Sequence, residues 1–350
     1  MPYFSIIIPV YKVQDYIRDC LYSLKRQTFQ DFEVILVDDG SPDECPRICD
    51  DFVREDSRFS VIHKLNEGPQ IARKTGVSKA SGNYVAFIDS DDWIDENWLE
   101  YAFEKIEKYK SDILAFGYKQ EFPEKTIEYG NKIEAGIYNK DRLREEVYPR
   151  MLCTGEFFEF GIWPSVWSKI FKCELFNEIV EFVDEGLTFG EDAACTYLCL
   201  YNAESVCICD KAFYHYRYVP NSLAQMYDAD YWQKIERLFR FWDQNNEIIW
   251  GKQLVQYKMF LLLMGINKEF LFLKNIAEAR RNVEKICSQN SFAKVICEFE
   301  CDDIKGADRF VVNALKDKAY GKLQRHFFFE RYRKTIKNII KGMYREIRKI

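Results

Sequence analysis

Through the first hundred residues, short apolar runs alternate with stretches whose apolar positions recur at helical spacing. Phe4-Ser-Ile-Ile-Ile-Pro-Val10 is a β-branched run that predicts a strand. Asp15–Arg26 follows, with Tyr16, Ile17, Cys20, Leu21 and Leu24 on one helical face. Glu33–Val37 predicts a second strand, ending at Asp38-Asp39-Gly40-Ser41, and Cys45–Arg54 a second helix. Phe59–His63 is a third strand, Pro69–Ala80 a helix with proline in its first turn, and Asn83–Ile88 a fourth strand, ending at Asp89. Strand starts near 4, 33, 59 and 84 repeat at the scale of βαβ units, ~30 residues. Strands that are apolar throughout are covered on both faces. The pattern therefore predicts an α/β fold: a doubly wound, mostly parallel sheet with helices on both faces, whose ligands bind beyond the carboxyl ends of the strands.

Between residues 106 and 222 the pattern is less regular. Beyond Asp230 it is helical only, as in Tyr231, Ile235, Leu238, Phe239 and Trp242. Leu254–Ile266 is apolar but interrupted by Gln256 and Lys258, which predicts a buried helix and not a membrane span. The expected organisation is 1–105 and 106–222 as two halves of the α/β domain, 223–319 as an α-helical region, and 320–350 as a separate helix. In that helix Phe329, Tyr332, Ile336, Ile339/Ile340, Met343, Ile347 and Ile350 recur at steps of three and four, with Lys and Arg at most other positions.

Composition sharpens this. Of 350 residues, 47% are hydrophobic and 30% charged, which excludes a disordered chain. The net charge of -6 argues against a nucleic-acid coat protein. It hides an asymmetry: residues 320–350 hold ten Lys/Arg and two Glu, a net of +8, so residues 1–319 carry -14. A basic amphipathic helix can lie on an anionic membrane surface, on the inner face of the plasma membrane, or it can pack on the helical region or in a homodimer. Both readings are open from sequence. Twelve cysteines without Cys-x-x-Cys spacing, and only three histidines, predict free thiols in a reducing cytoplasm. Phe4–Val10 is too short for a signal peptide.

The acids carry the chemistry. Asp38 and Asp39 follow the second strand; Asp89, Asp91 and Asp92 follow the fourth. Adjacent carboxylates in a crevice repel unless something positive lies between them. Mg²⁺ or Mn²⁺ resolves that conflict and binds one or two carboxylates plus phosphate oxygens, which implies a phosphorylated ligand. Asp-x-Asp alone is weak: Asp228-Ala-Asp230 repeats it where a helix start is expected, and Trp93–Tyr101 allows a helix with capping acids at the first copy.

Several motifs in order resemble glycosyltransferase family 2: Ser5-Ile-Ile-Ile-Pro-Val-Tyr11, Gln27-Thr28-Phe29, Glu33–Ser41, Glu67-Gly68 with Ala72-Arg73, Gly82–Asp92, Trp167–Phe171, Gly190-Glu191-Asp192 and Tyr216-Arg217. The resemblance covers residues 4–222. It implies a GT-A fold, a nucleotide-sugar donor, a divalent cation and inversion at the anomeric carbon. It also implies roles. Pro9, Val10 and Tyr11 contact the nucleotide, Asp39 binds the base, typically uracil, with Arg73 nearby, and Asp89 with Ser90 lies at the ribose. Asp91, helped by Asp92, holds the metal. Asp192 is the general base, with Glu191 beside it as an orienting neighbour or as the base in its place, and Lys169 and Arg217 face the diphosphate. Structural alternatives stand beside some of these: Asp38 as a turn acid, Glu191 as a helix cap, Lys169 in a salt bridge, His63 and His215 as packing residues, and Trp163 and Trp167 either in the core or against a sugar.

The resulting expectation is an inverting, metal-assisted transfer from a UDP-sugar to a hydroxyl of a saccharide acceptor, lipid-linked, in surface polysaccharide assembly. Three rivals have weaker support. A dinucleotide dehydrogenase needs Gly-x-Gly-x-x-Gly after its first strand, where Pro9-Val10-Tyr11 stands. A haloacid-type phosphotransferase places its acid after the first strand, with Thr or Val two positions beyond the second Asp; here the strand is the fourth and Trp93 follows Asp92. A non-catalytic sugar-nucleotide or membrane-binding module has no need of a base such as Asp192.

Overall fold

The computed structural model of the protein describes residues 1–157, 159–219, 226–245, 250–300 and 304–347, with side chains described as far as 333. The strands are β1 (Phe4–Val10), β2 (Phe32–Asp38), β3 (Phe59–His63), β4 (Tyr84–Phe87), β5 (Trp93–Ile94), β6 (Ile113–Phe122), β7 (Lys125–Tyr129), β8 (Gly136–Asn139), β9 (Lys169–Lys172) and β10 (Ser205–Arg217). They form one sheet in the order β3-β2-β1-β4-β9-β6-β10-β5, with β7 beside β6 and β8 beside β10. Parallel pairing joins β1 to β2 and β4, β2 to β3, and β6 to β10. The short β9 runs antiparallel between β4 and β6, so β1, β2, β3, β4, β6 and β10 all point the same way.

Helices α1 (Ile17–Lys25), α2 (Cys45–Glu55), α3 (Pro69–Val77) and α4 (Trp98–Tyr109) connect these strands. Period-two alternation decides which face each covers. Val34 and Leu36 of β2 join Ile6 and Ile8 of β1 in a core with Ile17, Cys20, Leu21 and Leu24 of α1 and Ile48, Cys49 and Phe52 of α2. Ile35 and Val37 turn the other way, onto Ala72 of α3. Trp93 does not open a helix. It pairs with His215 across β5 and β10, and α4 starts only at Trp98. Gln27 fixes that start: its amide donates to the Asp95 carbonyl and its Oε1 accepts from Leu99 N–H.

Helix α5 (Lys140–Arg142) is a short turn; α6 (Cys173–Phe182) and α7 (Glu191–Asn202) precede β10. Then come α8 (Tyr231–Gln244), α9 (Gly251–Phe272), α10 (Ile276–Cys287), α11 (Asn290–Glu298), α12 (Gly306–Lys316) and α13 (Tyr320–Ile347). Asp228-Ala-Asp230 does sit at a helix start, with Asp228 accepting from Asp230 N–H just before α8. The chain divides into two compact units: Met1–Thr154 with Glu159–Pro220 and Asn245–Trp250, and Gly155–Phe158 with Asn221–Gln244 and Gly251–Ile350. The expected division at 105/106 falls inside α4, because one sheet runs through both halves. The division at 222/223 lies outside the described residues.

Among the described residues no helix is long and apolar enough to cross a membrane. The described cysteines are free thiols, buried except Cys297. Cys301 lies outside the described residues.

Gly40, in the turn after β2, has φ +67°, and a Cβ there would lie 2.9 Å from Asn66 N. Gly40→Ala should therefore lower the unfolding free energy by about 1–2 kcal/mol, from left-handed backbone strain alone, with a lower urea midpoint. An unchanged midpoint would show that the turn relaxes.

Candidate functional site

Strand order reverses at β1: β2 and β3 lie on one side and β4 on the other. The crevice beyond such a reversal point is where open α/β sheets bind ligands. Here it is bounded by residues 9–11, 38–41 and 88–92.

At the end of β1, Pro9 is half-buried and Val10 fully buried, and the Val10 carbonyl accepts from Asp39 N–H at 3.0 Å. Of the three residues expected at the nucleotide, Tyr11 offers the exposed ring. Asp38 is a structural acid: one oxygen accepts from Ser41 N–H and the other bonds His63 Nδ1 at 2.7 Å, which raises the His63 pKa. Asp39 gathers the following loop, accepting from Lys64 Nζ (2.8 Å), Glu67 N–H (3.0 Å) and Gly68 N–H (2.8 Å).

The acids after β4 divide by environment. Asp92 is 1% exposed; its oxygens accept from Tyr214 Oη and Arg217 N–H, both at 2.7 Å, and burial pushes its pKa well up. Both oxygens of Asp92 thus already bond protein groups, at the residue for which the resemblance implied a helper role at the metal. Asp91 differs. It is partly buried, its pKa is raised by burial, and no described side chain bonds its carboxylate. Its oxygens suit a hard cation that takes its remaining ligands from phosphate and water. Ser90 is buried between the two acids that face the crevice.

The centre of the site is Arg73 on α3. Its Nη2 donates to Asp89 Oδ1 at 3.2 Å, and its Nη1 to Asp192 Oδ1 at 2.8 Å and to Glu191 at 3.5 Å. Three carboxylates from the end of β4 and the start of α7 thus share one guanidinium, itself 12% exposed. The same helix ties down the segment leading to α7: Gln70 donates to the Asp184 carbonyl, and Lys74 reaches Glu181 and Glu185. Asp192 falls in the first turn of α7, after Gly190 with φ 75°. The resemblance implied that Arg73 lies by the nucleotide base. In the structure it touches Asp89 and the Glu191-Asp192 pair, while the cationic partner of Asp39 is Lys64. Burial, then the neighbouring Asp192 charge, raises the Glu191 pKa to about 7, and burial raises that of Asp89 to about 6.

Lys169 is fully buried. Its ammonium donates to the Trp163 and Ser165 carbonyls (2.6 and 2.8 Å) and to Ser168 Oγ (3.0 Å), and burial lowers its pKa to about 7. All three protons are engaged, so Lys169 anchors the 163–168 loop and does not face a diphosphate. Arg217 does reach the site: its Nε donates to the Asp91 carbonyl, its Nη2 to Asp19, and its guanidinium lies 4.4 Å over the Trp93 ring. With Trp93, Asp19, Tyr22 and Arg26 it lines a cavity of about 260 Å³. Trp163 and Trp167 join a half-buried aromatic group: Trp167 stacks on Tyr214 and Tyr216, and Tyr118 packs edge-on against both tryptophans.

Sequence reasoning missed Tyr214, whose hydroxyl also accepts from Asp89 N–H and so holds two of the acids. Its signal was weak, an aromatic two positions before Tyr216-Arg217. Lys64 carried no signal at all.

The family model described as Glycosyl transferase family 2 matches residues 5–160. Uncharacterized glycosyltransferase EpsJ of Bacillus subtilis is 34% identical over 227 residues, 65% of this chain and 64% of that protein. Putative glycosyltransferase EpsH of the same organism is 30% identical over 255 residues, 71% of each chain. The chain belongs to glycosyltransferase family 2. The match spans slightly less than two thirds of EpsJ. Among solved structures, TarS 1-349 of S. aureus in complex with UDP-GlcNAc covers 96% of this chain and 92% of its own at 20% identity, with a TM-score of 0.68, so the GT-A fold is shared. The family match ends at residue 160, ahead of Glu191 and Asp192; it is Arg73 that brings those two to the matched part.

The raised Glu191 pKa has a sign. A carboxyl that holds its proton more tightly when folded contributes stability that is fully present below its unfolded value, near 4.5, and lost as pH rises through about 7. Between pH 4.5 and 8 the unfolding free energy of the wild type should therefore fall by on the order of 2 kcal/mol more than that of Glu191→Gln. Parallel curves in denaturant titrations would contradict the shift.

Proposed function

We propose that the protein transfers a sugar from a UDP-sugar to a hydroxyl of a saccharide acceptor, lipid-linked, in surface polysaccharide assembly, and that it inverts the anomeric carbon. One observation carries this reading: Arg73 holds Asp89, at the donor end of the crevice, and Asp192, at the start of α7, on a single guanidinium. A binding module would have no use for a carboxylate held there. The named relatives are glycosyltransferases, and TarS binds UDP-GlcNAc.

In this reading Tyr11 and the loop gathered by Asp39 receive the nucleotide, and Asp89 lies at its ribose. Asp91 would hold Mg²⁺ or Mn²⁺, which when bound would supply Lewis-acid stabilisation of the departing diphosphate. Arg217 adds positive charge beside Asp91. Asp192 is the base. Its Oδ1 accepts from Arg73, which fixes the carboxylate's orientation and leaves Oδ2 for the acceptor hydroxyl. Removal of that proton as the new bond forms contributes ~10²–10⁴-fold. A single base with attack opposite the leaving group gives inversion. Glu191, sharing Arg73, orients Asp192.

The test is UDP or GDP release from a panel of UDP- and GDP-sugars, with and without Mn²⁺. UDP-sugars should turn over in a metal-dependent way. Asp192→Asn should lose roughly 10²–10⁴ in transfer while binding UDP as the wild type does in calorimetry. Preference for a GDP-sugar would overturn the donor assignment, and wild-type transfer by Asp192→Asn would remove Asp192 as base.

A further inference from the structure

The sequence left two readings of residues 320–350, packing or membrane contact, and α13 divides them between two faces. Leu323 and Phe327 are buried, and Phe327 stacks on Phe270 of α9 with ring centres 4.5 Å apart. Arg331 donates to the Phe270 and Leu273 carbonyls at the end of α9, where a cation offsets the helix dipole. These contacts seat the first turns of α13 on the helical unit. Another face stays open: Phe328, Phe329 and Tyr332 are 56%, 59% and 61% exposed, and Leu271 and Phe272, beside the carbonyls that Arg331 caps, are 38% and 50% exposed. Large apolar side chains scattered singly need no explanation, but five gathered at one end of a helical unit do.

We infer that this aromatic face of α13 and the end of α9 is a docking surface for an anionic phospholipid bilayer. Charge selects the occupant. Lys322, Arg325 and Arg333 are exposed on α13, whose residues 320–333 hold four Lys/Arg against one Glu. A second copy meeting this face with its own would bring two such charges together, which is unfavourable, whereas an anionic leaflet neutralises them. Aromatic rings with a polar edge suit the headgroup region, and flanking basic residues add attraction that salt screens. The side chains expected to extend the stripe, Ile336 to Ile350, lie outside the described side chains. It is independent of the transfer reading, since none of these residues belongs to the site around Arg73.

The test is flotation of the full chain with vesicles of phosphatidylglycerol or of phosphatidylcholine, at low salt and at ~0.5 M salt. The protein should float with phosphatidylglycerol at low salt, stay down with phosphatidylcholine, and be released by salt. Phe328→Ser with Phe329→Ser, at exposed positions, should keep the thermal midpoint and donor hydrolysis yet reduce flotation roughly tenfold or more. Lys322→Glu with Arg325→Glu should do the same. Three results would overturn the inference: no flotation with phosphatidylglycerol at low salt, flotation unaffected by either pair, or a lipid-free dimer that Phe328→Ser with Phe329→Ser converts to monomer.

Discussion

The arrangement depends on one guanidinium. Three carboxylates from two elements converge where the strand order reverses, and ionised acids at such distances repel strongly unless a cation is shared among them. Arg73 supplies it, in a position 12% exposed where the attraction is weakly screened. The cost of desolvating the arginine is offset only if its partners stay in place, so α3, the end of β4 and the start of α7 are held by the same contact. Removing one member of a buried charge cluster leaves the others uncompensated. The site therefore joins residues far apart in sequence: Arg73 and Asp192 are 119 positions apart.

Around this centre the polar groups sort by whether their bonds are already made. Asp38, Asp92 and Lys169 each bond protein partners that fix a turn, a strand end and a loop. Asp91, and the second oxygen of Asp192, keep capacity for something that is not protein. Burial alone would not separate the two groups, since both lie in or near the crevice; the accounting of hydrogen bonds does.

The parts legible in the sequence are those fixed by local pattern. β1 to β4 are apolar runs, and β1 and β3 begin and end where the periodicity puts them. The crevice acids followed, because their place at strand ends is also local. None of the strands from β5 to β10 was individually legible. β5 is two residues long and β9 four, too short for alternation to register, and both exist through partners on β10, β4 and β6. The partners of Arg73 and Lys169 were not legible for the same reason: a motif places a residue on an element, but its partner comes from another. In α13 the apolar spacing was real, yet spacing alone cannot say which turn of the stripe meets protein; Phe327 packs while Phe328 and Phe329 do not.

The central claim is that Arg73 and Asp192 are energetically coupled, and a double-mutant cycle on unfolding free energy measures it directly. With Arg73→Met, Asp192→Asn and the double variant, the account predicts a coupling of about 1–3 kcal/mol, Arg73→Met costing far less once Asp192 is neutral. Additive effects, with a coupling near zero, would contradict it: the two residues would then be neighbours in space without sharing the charge on which the site is built.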